Sequence, residues 1–163
     1  MPVANQIASG AMSFDRNRGL LEKSFKDLTP EEWLKRPNDH SNHILWIAGH
    51  IIWARSMTLK FLQAPQWTQP WLDLCARGAK LDGATQYPTP EEVLSAFGDV
   101  TKSLTAGLES ATPEMLDAPA PPNSPPGDGK VSGIINFLAY HETYHVGQVA
   151  YLRSWLGHEG PQG

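Results

Sequence analysis

The sequence predicts an all-α protein, a four-helix up-and-down bundle with long loops between helices two and three and between helices three and four. Three observations carry this. Apolar residues recur at helical spacing in four long segments, no segment sustains the alternation of a half-buried strand, and Pro- or Gly-containing connections separate the segments. At 163 residues the chain has the size of one domain and can bury a core without staples. Residues 1–163 are therefore expected to form a single domain.

The first helix is predicted over Ile7–Leu28, where Leu20, Leu21, Phe25 and Leu28 share a face. Thr29-Pro30-Glu31 then opens a further short turn, with proline where a helix has no use for its N–H. The second helix spans Ser41–Leu62, behind Pro37 and the capping residues Asp39, Ser41 and Asn42. The third, Thr89–Ser110, has a threonine cap, Pro90 in its first turn, and Glu91 and Glu92 at the positive end of the helix dipole. The fourth, Val131–Leu156, is closed by Gly157. Gln63–Pro88 connects the second and third helices and carries Trp67 and Trp71. Ala118–Gly129, reading APAPPNSPPGDG, connects the third and fourth and cannot continue a helix. Connections this long in a compact domain are often lids or binding loops.

Composition narrows the function classes. The chain is 40% hydrophobic and 18% charged, with formal net charge −4 and pI near 5.8, so no basic surface points to nucleic acid. Cys75 is the one cysteine; a disulfide framework is excluded and a reducing compartment is expected. The N-terminal stretch lacks the apolar core of a signal peptide. The longest apolar run, Ile44–Ala54, is too short to cross a bilayer. The expectation is a soluble, cytoplasmic protein without a membrane partner. Trp67 and Trp71 lie in a connection that a four-helix core has no need to bury, and exposed aromatic clusters mark association surfaces, so a homodimer is expected.

Histidines carry the chemistry. His141 and His145 stand about 40° apart on the fourth helix, on the apolar side with Ile134, Phe137, Leu138, Tyr144 and Gln148, while Asn136, Thr143 and Ser154 fall opposite. On the second helix His50 shares an apolar side with Trp46, Ile47, Ala54 and Met57. His43 is on that stripe too, but roughly 10 Å away along the axis, too far for both to bind one ion at imidazole bond lengths of about 2.0–2.1 Å. In an alternating bundle helices two and four run parallel. His50, His141 and His145 then reach similar heights, roughly 12 to 21 Å from one end. Depth favours this trio as ligands and leaves His43 at the mouth, lining the approach. The bland alternative is a bundle whose histidines are only packed or hydrogen-bonded.

His141–His145 also fits H-E-x-x-H, the helical zinc-peptidase pattern. Its extended form needs a histidine where this chain has Tyr151 and a glycine where it has Gln148. No strand is predicted to hold an extended peptide. Glu142 lies at the edge of the core face, either as a base or supporting residue or as a solvated acid. The peptidase reading is thus a remote one.

NHILWIAGHIIWAR, YPTPEEVLSAF and HETYHVGQVAYLRSWLG together resemble the DinB/YfiT-like family of metalloenzymes along essentially the whole chain. The last segment is the most specific, with H-x-x-x-H followed by Gly-Gln and an apolar run to Leu-Gly. The residue after the first histidine varies in that family, so the resemblance makes the Glu142 match to the peptidase pattern coincidental. It implies a four-helix bundle holding a divalent metal on three histidines, which fall on His50, His141 and His145. His43 stands where relatives often carry a small polar residue. Some relatives transfer low-molecular-weight thiols and others resemble hydrolases.

Three imidazoles leave an open position on the ion, as catalytic sites do, and zinc or nickel suits nitrogen donors. An open position in an apolar interior suits a small-molecule substrate, and the resemblance implies a low-molecular-weight thiol in a transfer reaction, or a hydrolytic reaction. Gln148 is placed to hydrogen-bond a ligand or substrate. Trp46 and Tyr144 are expected as core residues beside the pocket, His40 and His158 as surface residues, and Cys75 as a bystander. A metal- or small-molecule-binding bundle without turnover is the alternative of another class.

Overall fold

A computed structural model describes residues 3–81 and 86–162. Among these the helices are α1 (Ala8–Phe25), α2 (Pro30–Leu34), α3 (Ile44–Phe61), α4 (Pro90–Ser110), α5 (Pro113–Asp117) and α6 (Val131–Trp155), with 3-10 turns at Asn5–Ile7 and Leu72–Cys75. There is no strand among the described residues; Pro119 and Lys130 form one isolated bridge that closes the neck of the proline-rich loop. No helix of the described residues is long and apolar enough to cross a membrane.

Local chemistry sets most boundaries. α1 stops at Phe25, three residues short of the expectation, because Asp27 takes a left-handed conformation (φ 62°). Thr29 and Thr89 each accept from the backbone N–H of a glutamate three residues on, Glu32 and Glu92, whose side chain bonds back to the threonine N–H. α3 starts three residues later than predicted, and its cap is His43 rather than Asp39, Ser41 or Asn42. α6 ends one residue early, where Gly157 (φ 94°) turns the chain. The short helix α5, with Thr112 as its cap, was not expected at all.

The direction of each helix follows from which residues meet. From α1 to α6 the pairs ascend together: Asn136 donates to the Gln6 carbonyl (2.9 Å), Asn17 to Thr143 (3.1 Å), and Arg153 to the carbonyls of Ser24 (3.2 Å) and Lys26 (2.6 Å). These two helices are parallel. From α3 to α4 pairs also ascend, with Leu45 near Thr89 and Pro90, Arg55 on Thr101, and Leu59 and Leu62 against Gly107. From α3 to α6 they descend, with Ile47 near Leu152, His50 at His145, and Arg55 on Glu142. The four long helices thus run up, down, down, up. The helices therefore do not alternate strictly, although the sequence predicts that they would. Alternating neighbours need only short turns, whereas parallel α3 and α4 require a connection that travels back along the bundle, which residues 62–89 provide. His50 meets His141 and His145 nonetheless, because α6 is long enough to bring its middle beside the first half of antiparallel α3.

α3 is the centre of the packing, with fourteen of its eighteen residues buried. In its midst Arg55, 1% exposed, donates through Nε and Nη2 to the two oxygens of Glu142, also 1% exposed, both at 2.8 Å. The same guanidinium bonds Thr101, reaches the Phe14 carbonyl at 3.4 Å, and lies 4.6 Å from the Phe97 ring centroid. Removing one partner of such a pair leaves an uncompensated buried charge, at a cost of about 3–5 kcal/mol. Glu142→Gln is therefore expected to lower the free energy of urea unfolding by about that amount, and pairing it with Arg55→Met should restore much of the loss. A change below about 1 kcal/mol in the single variant would show that the pair does not constrain the bundle.

Candidate metal centre

His50 projects from α3 and His141 and His145 from α6, and one ligand nitrogen from each lies within 4.8 Å of the others. His50 and His145 are buried and His141 is half-buried. Nε2 of His141 and Nε2 of His145 are 3.1 Å apart. Two nitrogens bonded to one ion at about 2.1 Å lie about 3.0–3.4 Å apart when their angle is between 90° and the tetrahedral value. The spacing already meets that requirement.

Hydrogen bonds fix the ring tautomers. His50 Nδ1 lies 2.7 Å from the Cys75 carbonyl oxygen, and a carbonyl can only accept, so Nδ1 carries the hydrogen and Nε2 keeps a lone pair. His145 Nδ1 lies 2.7 Å from Gln148 Oε1, with the same consequence. Gln148 is held in turn by donating to the Tyr144 hydroxyl at 3.3 Å. His141 Nδ1 is buried and has no hydrogen-bond partner. Two lone pairs therefore converge on a third imidazole that holds at most one hydrogen to offer them. That is an electron-rich centre in want of a cation.

The surroundings keep it neutral. Burial pushes all three histidines below their usual range, His145 to about 4; at His141 the neighbouring Glu142 charge opposes this and the Arg77 charge adds to it. Trp46 stacks on His50 with ring centroids 5.1 Å apart and planes 6° from parallel, and Trp53 lies 5.4 Å from it. Gly49 lets the crossover approach α3, since a β-carbon there would collide with the Cys75 sulfur and crowd its β-carbon. Beside the histidines is a cavity of about 420 Å³, lined by His50, His141, Trp53, Met57, Phe61, Arg77, Phe137 and Leu138 and by Asn123, Pro125 and Pro126 of the proline-rich loop.

Several expectations change. Glu142 neither joins the histidines nor faces solvent; both its oxygens are held by Arg55. His43 caps α3 instead of lining an approach: its Nδ1 accepts from the Trp46 N–H at 3.0 Å, and its ring meets Tyr87 edge-on. Tyr144 is 60% exposed rather than in the core, although its ring stands edge-on to His145. Trp46 is buried as expected. Cys75 contributes its carbonyl; its buried thiol, raised to about 12, takes no part. His158 pairs with Glu32 at 3.1 Å, tying the chain end to α2. The roles of Cys75, Trp53 and Arg77 had no signal in the sequence, because a backbone carbonyl has no residue signature and the other two depend on packing.

A family model described as the DinB superfamily matches residues 13–149. Among curated proteins and among solved structures there is no match.

His43 yields a pH prediction. Burial lowers it from 6.5 to about 4 in the folded chain, so between those values the unfolded chain binds more protons. Stability conferred by the neutral cap is present above pH 6.5 and lost as pH falls toward 4. His43→Asn keeps a cap acceptor that does not titrate and should lose less stability between pH 7.5 and pH 4.5. Urea unfolding at both values checks this; equal losses in the two proteins would refute it.

Proposed function

The chain belongs to the DinB superfamily, and from that premise we propose that His50, His141 and His145 hold one divalent metal ion at the floor of a cleft that takes a small-molecule substrate. The observation that carries this is the convergence of lone pairs from rings whose other nitrogens, on His50 and His145, are committed to Cys75 and Gln148. All-nitrogen donors suit zinc or nickel. A divalent ion there supplies Lewis acidity, enough to keep a small thiol deprotonated for transfer or to sharpen a water for hydrolysis.

The chain's own residues do the rest. Gln148 and the Cys75 carbonyl hold two ligand rings in one tautomer and one orientation. Trp53, Met57, Phe61, Phe137 and Leu138 give the cleft an apolar wall that excludes water from a bound substrate. Metal-assisted transfer of a low-molecular-weight thiol, or hydrolysis of a small molecule, suits such a cleft better than peptide cleavage, because the carboxylate that a peptidase would use as base is consumed by Arg55. The lone, buried thiol of Cys75 fits a reducing cytoplasm.

Metal analysis of the purified protein should give about one equivalent per chain. His50→Ala or His145→Ala should remove it and His43→Asn should not. Full occupancy in His50→Ala would sink the ligand assignment. Metal-loaded protein assayed with cellular thiols and a model electrophile, beside ester and amide substrates, then separates transferase from hydrolase; inactivity with all of them favours a binding bundle without turnover.

The homodimer rests on a different surface from the one first expected. Trp67 and Trp71 pack against the core, whereas Tyr140, Tyr144, Tyr151 and Trp155 are 69%, 60%, 63% and 44% exposed along α6. These four lie within about 60° of one another on the helix. Reversing the helix about the point midway between Gly147 and Gln148 exchanges Tyr140 with Trp155 and Tyr144 with Tyr151, so a second copy related by a two-fold axis there sets ring against ring. Nothing lies within 4 Å of a β-carbon built on Gly147, so two helices can approach closely. Light scattering should report twice 17.9 kDa, and Tyr140→Glu with Tyr151→Glu should halve it; a wild-type mass of one chain at micromolar concentration would exclude this dimer.

A further inference from the structure

Among the described residues, the cleft beside the neutral histidines has one charged side chain. Arg77 lines it, and among the described residues it has neither an ion-pair nor a hydrogen-bond partner. Among the described residues no carboxylate lines that cleft. Arg55, by contrast, is paired with Glu142 in the core, and Arg153 donates to the carbonyls of Ser24, Lys26 and Glu159. An unpaired guanidinium at the edge of an apolar, low-dielectric cleft focuses a positive potential into it, and its planar fork matches a carboxylate bidentately.

The backbone at Arg77 is also held in place. It follows Cys75 by two residues, and the Cys75 carbonyl is bonded to His50. The segment between is knotted by backbone bonds from Ala76 to Asp73 (3.2 Å) and from Ala79 to Ala76 (3.0 Å), with Gly78 turning at φ 85°. The backbone that carries Arg77 is thus tied to the His50 ring that lines the cleft. Asn123 of the proline-rich loop, a left-handed residue (φ 61°), also lines the cleft.

We propose that the cleft selects small organic anions, molecules with an apolar or aromatic body and one carboxylate, with the carboxylate taken by Arg77 and the body laid along Trp53, Met57 and Phe137 toward His50 and His141. A volume of about 420 Å³ accommodates a molecule of this kind. This rests on the small-molecule reading above and gives it a substrate class. Recognition by charge at one end leaves the other end of the molecule free to reach the histidines, which is what a site reacting at that end requires.

The probes are 4-phenylbutyrate, its uncharged amide, and 4-phenylbutylamine, titrated calorimetrically into the full chain whose metal content is measured on the same sample. The carboxylate should bind at least tenfold more tightly than the amide, and the amine more weakly still. Arg77→Gln, a change at an exposed side chain, should weaken the carboxylate at least tenfold while leaving amide binding and metal content unchanged. Carboxylate affinity unaffected by Arg77→Gln, or equal affinity for carboxylate and amide, would overturn the proposal, as would no binding of any probe at millimolar concentration. The metal reading fails separately. Arg77-dependent carboxylate binding in a sample without metal supports the anion site and rejects the metal, while a metal-loaded sample without that dependence does the reverse.

Discussion

One guanidinium touches all four long helices. Arg55 stands on α3, pairs with Glu142 of α6, bonds Thr101 and faces Phe97 of α4, and reaches the Phe14 carbonyl of α1. Burying an ion pair brings little net stability, because the desolvation of both charges offsets most of their attraction; its effect is on register. A slip of α3 along α6 by one turn would strand both charges in a low dielectric. The antiparallel pairing of these two helices is therefore fixed at one height. His50, five residues before Arg55, and His141, next to Glu142, are set opposite each other by that same lock.

The consequence for H-E-x-x-H is a division of labour across the helix. His141 and His145, one turn apart, converge on His50, and His141 lines the cleft. Glu142, about 100° further round, looks into the bundle. In a peptidase the central glutamate would serve a reaction; in this chain it holds the frame on which the histidines sit. The five letters are the same, and the neighbouring helices decide what each letter does.

Topology does the remaining work. Because α3 and α4 run in the same direction, the chain must return along the bundle between them, and the returning segment lies over the first half of α3. Gly49 permits its close approach, Cys75 gives a carbonyl to His50, and Arg77 arrives at the rim. The proline-rich loop, pinched at its neck where Ala120 and Val131 donate to the carbonyls of Gly129 and Ala118, brings Asn123, Pro125 and Pro126 over the same cleft. The two long connections are what turn three packed histidines into a walled site.

Periodicity, caps and breakers announced the four long helices to within about three residues at each end, and the all-α class with them, because these signals act over a few residues of chain. The pairing of His141 with His145 was legible for the same reason, being one turn of one helix. His50 was also found, but through an assumed parallel arrangement that the fold does not have. Helix direction was beyond reach, since long connections allow either sense and only the summed packing of α1, α3, α4 and α6 selects one. The fate of Glu142, the capping role of His43, the carbonyl behind His50 and the charge at the cleft rim were undetermined too. Each depends on a partner in another element of the fold, from Arg55 to the crossover, and only tertiary packing brings such partners together.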